Sequence, residues 1–500
     1  MTDSSDEVKK NQWDSSFSFL MAMIGAAVGL GNIWRFSYVV YSQGGGSFFI
    51  PYFFAILIMG IPFLILEYGL GFKFKDSLSN ILKKIKPKFE VVGWFVAFLV
   101  FLVLTYYIVI MGWDLIYLIL SFFKGWGADP NMYFNTNIVV GGNNLNGIFT
   151  PVVAVTAAVI FIWAVLWYIS HKSVDGISKA VKFLIPVLFI MMGFIVIYAL
   201  TLPGKMIGLT ALFTPDWSAL GNVEIWLAAF GQILFSLSMG QAIAVTYASY
   251  LPSKSKLIDN VLIVVASNSL FEIFTAVGVF SILGFMSLRT GLPIEQIATS
   301  GTGLLFVVFP EIFNIMGDVA YIIAPLFFLC VFFAGLSTII AYLEPMSMAI
   351  TKKFKLSRFK VTTILTVVGL ILSFVYTTAS GNFLLTIADE YLNQFAILLG
   401  VILQAIIVAW YYGCDKLLGV LNESSTFNVG RKWILIIKVA LPIILTILWL
   451  QGLRSVLLTG DFTVQMIELV ITILFIAVPV ILTLLPGKDK DDGKIKAIEE

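Results

Sequence analysis

Histidine occurs once in this 500-residue chain, at His171, and cysteine twice, at Cys330 and Cys414. Two cysteines cannot make a disulfide framework, and with one histidine they supply too few ligands for a His- or Cys-based metal site. Charge is also scarce: Asp, Glu, Lys and Arg make up 12% of residues, and the net charge is +2. With the basic residues spread among separate loops, there is no electrostatic footprint for nucleic acid, and no such partner is expected. Nothing in the sequence asks for an organic cofactor. What abounds is apolar: 59% of residues are hydrophobic, and the mean hydropathy is +0.98. That composition excludes an ordinary soluble domain or a disordered chain and leaves a polytopic membrane protein.

About 20 apolar residues cross about 30 Å of hydrocarbon. Runs of that length predict twelve transmembrane helices, at about 16–42, 47–72, 90–122, 151–170, 177–201, 223–250, 257–288, 319–350, 358–378, 384–413, 433–453 and 464–485. The fold class is therefore all-α. Most Lys and Arg residues fall on one side, among them Lys73, Lys75, Lys83, Lys84, Lys86 and Lys88 in one loop and Lys352, Lys353, Lys355, Arg358 and Lys360 in another. The positive-inside rule then puts both termini in the cytoplasm and predicts a multi-pass protein of the plasma membrane. The polar start, Met1 to Asn11, does not read as a signal peptide, and the charged tail after Pro486 reads as disordered.

Two of the spans are interrupted. Residues 21 to 36 read Met-Ala-Met-Ile-Gly-Ala-Ala-Val-Gly-Leu-Gly-Asn-Ile-Trp-Arg-Phe, with three glycines, an asparagine and an arginine inside a membrane-length segment. Each glycine weakens a helix by about 0.8–1.0 kcal/mol relative to alanine, and an intramembrane arginine costs at least about 2.5–3.5 kcal/mol. Gly25 and Gly29 fit either a small-residue packing face or a helix that opens to expose its carbonyls. The sixth span repeats the pattern at Gly231 to Ala242, where Ser236, Ser238 and Gly240 occupy the centre. Two interrupted spans in corresponding positions point to a transporter of inverted repeats. The expected organisation is a cytoplasmic segment 1–15, a first five-helix repeat 16–201, an external loop 202–222, a second repeat 223–413, two additional helices over 414–485, and a cytoplasmic tail 486–500.

These stretches also carry a resemblance. G-A-A-V-G-L-G-N-I-W-R-F from Gly25, G-G-G-S-F-F-I-P-Y from Gly44 to Tyr52, and I-P-F-L-I-L-E from Ile61 to Glu67 resemble the neurotransmitter:sodium symporters and their bacterial amino-acid-transporting relatives. G-Q-I-L-F-S-L-S-M-G from Gly231, T-Y-A-S-Y from Thr246 to Tyr250 and F-F-A-G-L-S-T from Phe332 to Thr338 follow in the same order. The resemblance extends from about Trp13 through the last span. It implies sodium-coupled symport of a neutral α-amino acid by alternating access around a midplane site, with broken helices 1 and 6.

Residue by residue, the resemblance implies one sodium ion held by the Ala27 carbonyl, Asn32, Asn268, Ser236 and the substrate carboxylate. A second would take the Gly25, Val28 and Ala334 carbonyls with the Ser337 and Thr338 hydroxyls. Neutral oxygens suit a hard monovalent cation. The substrate would meet Ala27, Gly29, Leu30, Gly31 and Tyr107 at its carboxylate end, near the positive start of a half-helix. Val103, Phe235, Ser236, Ser238, Gln241, Ser337 and Tyr342 would line the rest. Relatives that carry monoamines place an aspartate at Gly29, so glycine there favours an amino acid. Glu272 matches the glutamate of chloride-independent relatives and would supply chloride's charge.

Arg35 and Asp389 match an external gate pair, over an aromatic lid of Tyr107 and Phe235. At the internal gate Trp13, Ser249 and Tyr250 fit the pattern, but Lys10 and Lys352 stand where an arginine and an aspartate are usual, so no ion pair closes there. Glu344, about 12 Å from Lys352 along a helix, is too far to replace the aspartate, and Lys10 over the Tyr250 ring is the expected substitute. Gly176 and Pro186 match a motif for unwinding the fifth span. Three other readings remain: proton coupling through Glu67, Glu272 or Glu344; a channel, for which no repeated filter is visible; and an intramembrane enzyme, for which His171 beside Lys172 is a poor candidate.

Overall fold

The computed structural model describes residues 12–298, 301–458 and 461–487. Lys10 and the tail beyond residue 487 lie outside these. Among the described residues the only strand-like pairings are two isolated bridges, Gly45 with Pro215 and Pro151 with Thr378; everything else regular is helical.

The first span is two helices, α1 (Ser16–Ala27) and α2 (Leu30–Ser42), meeting at 51°. Single helices follow as α3 (Gly46–Phe74), α4 (Pro87–Ser121), α5 (Val153–Ser170) and α6 (Val174–Ala199). The sixth span is again divided, into α7 (Val223–Ser236) and α8 (Ile243–Ser249). After it come α9 (Leu257–Thr290), α10 (Gly317–Phe354), α11 (Arg358–Thr377), α12 (Gly381–Asn422), α13 (Arg431–Leu458) and α14 (Phe462–Leu484). Ten of these helices are long and apolar enough to cross a membrane, and the bent pair makes eleven. The 14 residues of α7 reach only about 21 Å, so the sixth span reaches membrane length only with α8 across the break. The tenth span runs well past its expected end at residue 413, because hydropathy marks only the apolar part of a helix whose polar end continues to Asn422.

The first four spans each touch the span five places later. α1 and α2 meet α8 and α7, α3 meets α9, α4 lies along α10, and α5 meets α11. Pairing of spans in corresponding positions is consistent with two structural repeats. α4 forms the centre, with 89% of its most apolar stretch buried, whereas α14 has 22% and lies at the periphery. Both breaks therefore face the middle of the bundle, the one place where unpaired backbone is tolerated at membrane depth.

The breaks differ in construction. After Ala27 the chain runs extended through Val28 (φ −79°, ψ 94°) and Gly29 (φ −126°, ψ −166°) before α2 begins. Between α7 and α8 the backbone is left-handed at Ser238 (φ 49°), Gly240 (φ 69°) and Ala242 (φ 59°). For the two residues with side chains that conformation costs roughly 1–2 kcal/mol each, which the surrounding helices must offset.

Close packing beside the second break gives a test. A Cβ on Gly71 of α3 would lie 2.0 Å from the Val245 carbonyl oxygen of α8, while one on Gly193 of α6 would meet nothing within 4 Å. Gly71→Ala is expected to lower the thermal midpoint of the detergent-solubilised protein, overpacking costing about 1–3 kcal/mol. Gly193→Ala should leave it equal or higher; equal melting of the two variants would contradict the packing.

Candidate substrate and ion site

A cavity of about 160 Å³ lies between the two breaks. It is lined by Ala27, Gly29, Leu30 and Gly31 from the first break, Val103 and Tyr107 from α4, Phe235, Ser236, Ser238 and Gln241 from the second break, and Tyr342 from α10. Every residue expected to meet substrate is there except Ser337. The next residue, Thr338, lines the cavity in its place, because neighbours on a helix point about 100° apart. Tyr106, Gln232 and Asn393 also line it and were not anticipated. Gln232 and Tyr106 sit inside the quoted motifs or beside Tyr107, whereas nothing in the sequence marks Asn393.

One end suits a carboxylate. The Leu30 amide opens α2 and donates to the Tyr107 hydroxyl at 3.3 Å, while the Gly29 amide donates to Asn32 Oδ1 at 2.9 Å. Helix-start amides carry partial positive charge. Gly29 has no room for a side chain, since a Cβ would stand 2.9 Å from Thr338 Oγ1 and 3.4 Å from the Tyr107 oxygen.

Both expected ion-binding groups of side chains are assembled. In the first, Asn32 Nδ2 donates to Asn268 Oδ1 at 2.7 Å, and Asn268 Nδ2 donates to Ser236 Oγ at 2.5 Å. In the second, Ser337 Oγ lies 2.9 Å from the Gly25 carbonyl oxygen and 2.8 Å from that of Ala334, which also accepts from Thr338 Oγ1 at 3.1 Å. Val28 is buried at the first break. No group of three or more His, Cys, Asp or Glu side chains is placed to hold a metal among the described residues, so any cation at the breaks meets mainly neutral oxygens. Gly25 also serves as a packing residue, its missing Cβ admitting Ile185 of α6.

Glu272 is fully buried and accepts from the Tyr52 hydroxyl at 2.5 Å and from Gln232 Nε2 at 2.7 Å. Glu67, also buried, accepts from Gln404 Nε2 at 3.1 Å. His171 stacks on Trp167, with ring centroids 4.8 Å apart, and is a packing residue.

At the Arg35 end of the cavity the residues expected as gate and lid are gathered, but neither expected pair is in direct contact. Arg35 and Asp389 both line the cavity but do not form an ion pair with each other. Asp389 accepts from the Tyr106 hydroxyl at 2.8 Å and from Asn393 Nδ2 at 2.7 Å, and Arg35 instead lies 4.6 Å over the Phe235 ring. The ring of Tyr107 meets Tyr342, at 5.7 Å, and no ring contact joins it to Phe235. Beyond Arg35 and Phe235 lies a second chamber of about 420 Å³ that shares both residues as its wall.

The opposite end is closed. Trp13 donates from its indole to the Tyr247 carbonyl at 2.8 Å and from its amide to the Tyr250 carbonyl at 3.0 Å, fixing the chain before α1 against the end of α8. Ser249 turns its hydroxyl back onto the Thr246 carbonyl at 2.6 Å. Tyr250 donates to Glu344 at 3.2 Å, and Arg358 forms an ion pair with the same carboxylate, its Nη1 3.1 Å from Oε2. The ion pair sought at this end therefore exists with other partners. Helix spacing from Lys352 could not reveal it, because α10 ends at Lys355 with φ 53° and the chain reverses to bring Arg358 alongside. Asp14, just before α1, pairs with Lys182 of α6. Its burial opposes ionisation, but hydrogen bonds from Lys182, Ser18 and Ser178 outweigh that and bring the carboxyl down to about 2. The expected contact of Lys10 with Tyr250 falls outside the described residues.

The fifth span is not unwound. α6 is continuous from Val174, with Pro186 inside it, and Gly176 allows a close approach, a Cβ there lying 2.2 Å from the Ile169 carbonyl oxygen.

Arg358→Ala would leave Glu344 buried and unpaired, a loss of about 3–5 kcal/mol for a pair of this kind. The expected result is a lower melting temperature and faster labelling of a Ser249→Cys variant by a membrane-impermeant thiol reagent, in a background lacking Cys330 and Cys414. Unchanged melting and labelling would remove Arg358 from the closure.

Comparison with known proteins accords with this geometry. The family model described as the sodium:neurotransmitter symporter family matches residues 10–143 and 127–483. An uncharacterized sodium-dependent transporter of Methanocaldococcus jannaschii is 38% identical over 457 residues, covering 91% of this chain and 92% of that protein. The sodium-dependent nutrient amino acid transporter 1 of Drosophila grimshawi is 26% identical over 496 residues, covering 90% and 78% respectively. With two broken spans enclosing a cavity and neutral oxygens at both breaks, the chain belongs to the sodium:neurotransmitter symporter family and is a sodium-coupled transporter, not an enzyme.

Proposed function

We propose that this protein carries a neutral α-amino acid together with two sodium ions, by alternating access and without chloride. The observation that carries the substrate reading is Gly29. At the start of α2, with no space for a side chain between Thr338 and Tyr107, it leaves the Leu30 and Gly31 amides to the substrate's own carboxylate. The printed name of the Drosophila relative, a nutrient amino acid transporter, supports the same class.

The two sodium ions take the two oxygen sets in different ways. At Asn32, Asn268, Ser236 and the Ala27 carbonyl the substrate carboxylate completes the shell, so each ligand raises the affinity of the other. At Gly25, Val28, Ala334, Ser337 and Thr338 the ion bridges α1 to α10, and its departure frees α1 from the bundle. Opening on the Trp13 side, which the basic loops assign to the cytoplasm, separates α1 from α8 and breaks the Trp13 contacts. Unwinding of α6 between Gly176 and Pro186 then lets water reach the second ion. The repeats 16–201 and 223–413 are the bodies that move in the plasma membrane, and the membrane potential contributes about 2.3 kcal/mol per charge per 100 mV. Glu272, already bonded by Tyr52 and Gln232, provides the negative charge beside the first ion.

Three measurements test this reading. Thermal-shift or scintillation-proximity binding across the twenty amino acids should give a response only in sodium, and binding indifferent to sodium would transfer the reading to proton coupling. Uptake with gluconate in place of chloride should be unchanged; a strong loss would remove the role of Glu272. Ser337→Ala and Thr338→Ala should each raise the sodium concentration for half-maximal binding about tenfold, equivalent to about 1.4 kcal/mol, and wild-type sodium dependence in both would refute the second site.

A further inference from the structure

The cavity is lined by a residue with a polar atom that no group among the described residues satisfies. Gln241 lines the cavity and is 5% exposed, yet its side-chain carbonyl oxygen has no donor among the described residues. An unsatisfied buried acceptor costs about 1–3 kcal/mol, which an apolar side chain at this position would avoid. Ser238, also lining the cavity, donates its hydroxyl proton to the Ala26 carbonyl at 2.9 Å. That leaves only its oxygen lone pairs for a ligand. Both groups lie on the second break and line the same cavity as Leu30 and Tyr107. A glutamine amide offers an acceptor and two N–H donors, and the Gln241 amide makes no side-chain hydrogen bond among the described residues, so the partner it lacks is a polar group.

That polar partner need not be charged. Asp389, the carboxylate on the cavity, already accepts from Tyr106 and Asn393, and Arg35 lies beside it at the same end. Size limits the ligand further. A cavity of about 160 Å³ is close to the roughly 150 Å³ that holds one benzene molecule.

We infer that the transported amino acid has a short, neutral side chain bearing a hydrogen-bonding group, of the size of serine, threonine or asparagine, and that Gln241 selects it. This rests on the amino-acid reading above. A site built to hydrogen-bond a substrate rejects the isostere lacking that group far more strongly than an apolar pocket rejects an added hydroxyl.

The test uses two near-isosteric pairs, threonine with valine and asparagine with leucine, whose binding to the purified full chain is measured by scintillation proximity with and without sodium. The expected result is at least tenfold tighter sodium-dependent binding of threonine over valine and of asparagine over leucine, with both differences reduced to about threefold or less in Gln241→Leu. Equal binding within the pairs, or a preference for valine and leucine, overturns the inference while leaving sodium-coupled amino-acid transport standing. A wild-type preference that persists in Gln241→Leu overturns the role of Gln241. Should that variant not fold, Gln241→Met, unbranched and of similar length, decides the same point. If none of the twenty amino acids binds in sodium, the amino-acid reading itself fails and the inference falls with it.

Discussion

The structure depends on one constraint: backbone N–H and C=O groups at membrane depth need partners, and hydrocarbon offers none. Breaking two helices in the middle of the bundle is tolerable only if every freed group finds another polar atom. The Gly29 amide finds Asn32, the Leu30 amide finds Tyr107, the Ala26 carbonyl finds Ser238, and the Gly25 and Ala334 carbonyls find Ser337. Most of these partners are side chains whose hydroxyls and amides can turn toward a cation or a carboxylate. The groups that stabilise the breaks are thus also the groups that can bind.

That dual use explains why the centre is neutral. A buried charge without a partner costs far more than a buried hydroxyl with one, so a site that empties once per cycle is better built from carbonyls, hydroxyls and amides. The buried carboxyl of Glu272 is held in place by Tyr52 and Gln232. Of the other charged groups, Arg35 and Asp389 line one end of the cavity, and Arg358 and Glu344 lie outside its lining. At the Trp13 end, Arg358 and Glu344 are joined; at the other, Arg35 and Asp389 are not joined to each other. The molecule is therefore closed toward Trp13, and a shared wall of Arg35 and Phe235 separates its cavity from the larger chamber beyond.

The strain in the second break has a related role. Ser238 and Ala242 are held left-handed, and α8 is only seven residues long. It is fixed by α3, against which Gly71 allows backbone contact, and by Trp13. A short helix anchored at both ends by specific contacts has two discrete positions open to it more readily than a long one, since few residues need to change partners.

The sequence by itself determined an all-helical membrane protein and its two interruptions, while the lining of the cavity was legible only through the resemblance of its motifs to a family. Hydropathy and glycine placement are local properties, and Gly25 to Phe36 and Gly231 to Gly240 carry them in consecutive residues. Asn268, Ser337 and Thr338, hundreds of positions from Asn32 and Gly25, were legible only through the resemblance of their motifs to a family. Tertiary structure alone decided which charges meet. Helix spacing set Glu344 against Lys352, but the reversal at Lys355 delivered Arg358 to it. Asp389 was matched to Arg35, but Tyr106 and Asn393 reached it first. It also decided that Thr338 and not Ser337 faces the cavity, and that Gly176 sits at a close contact in an unbroken helix. Ion pairs and facing directions depend on where chain reversals bring separate helices together, and no local pattern of residues contains that information.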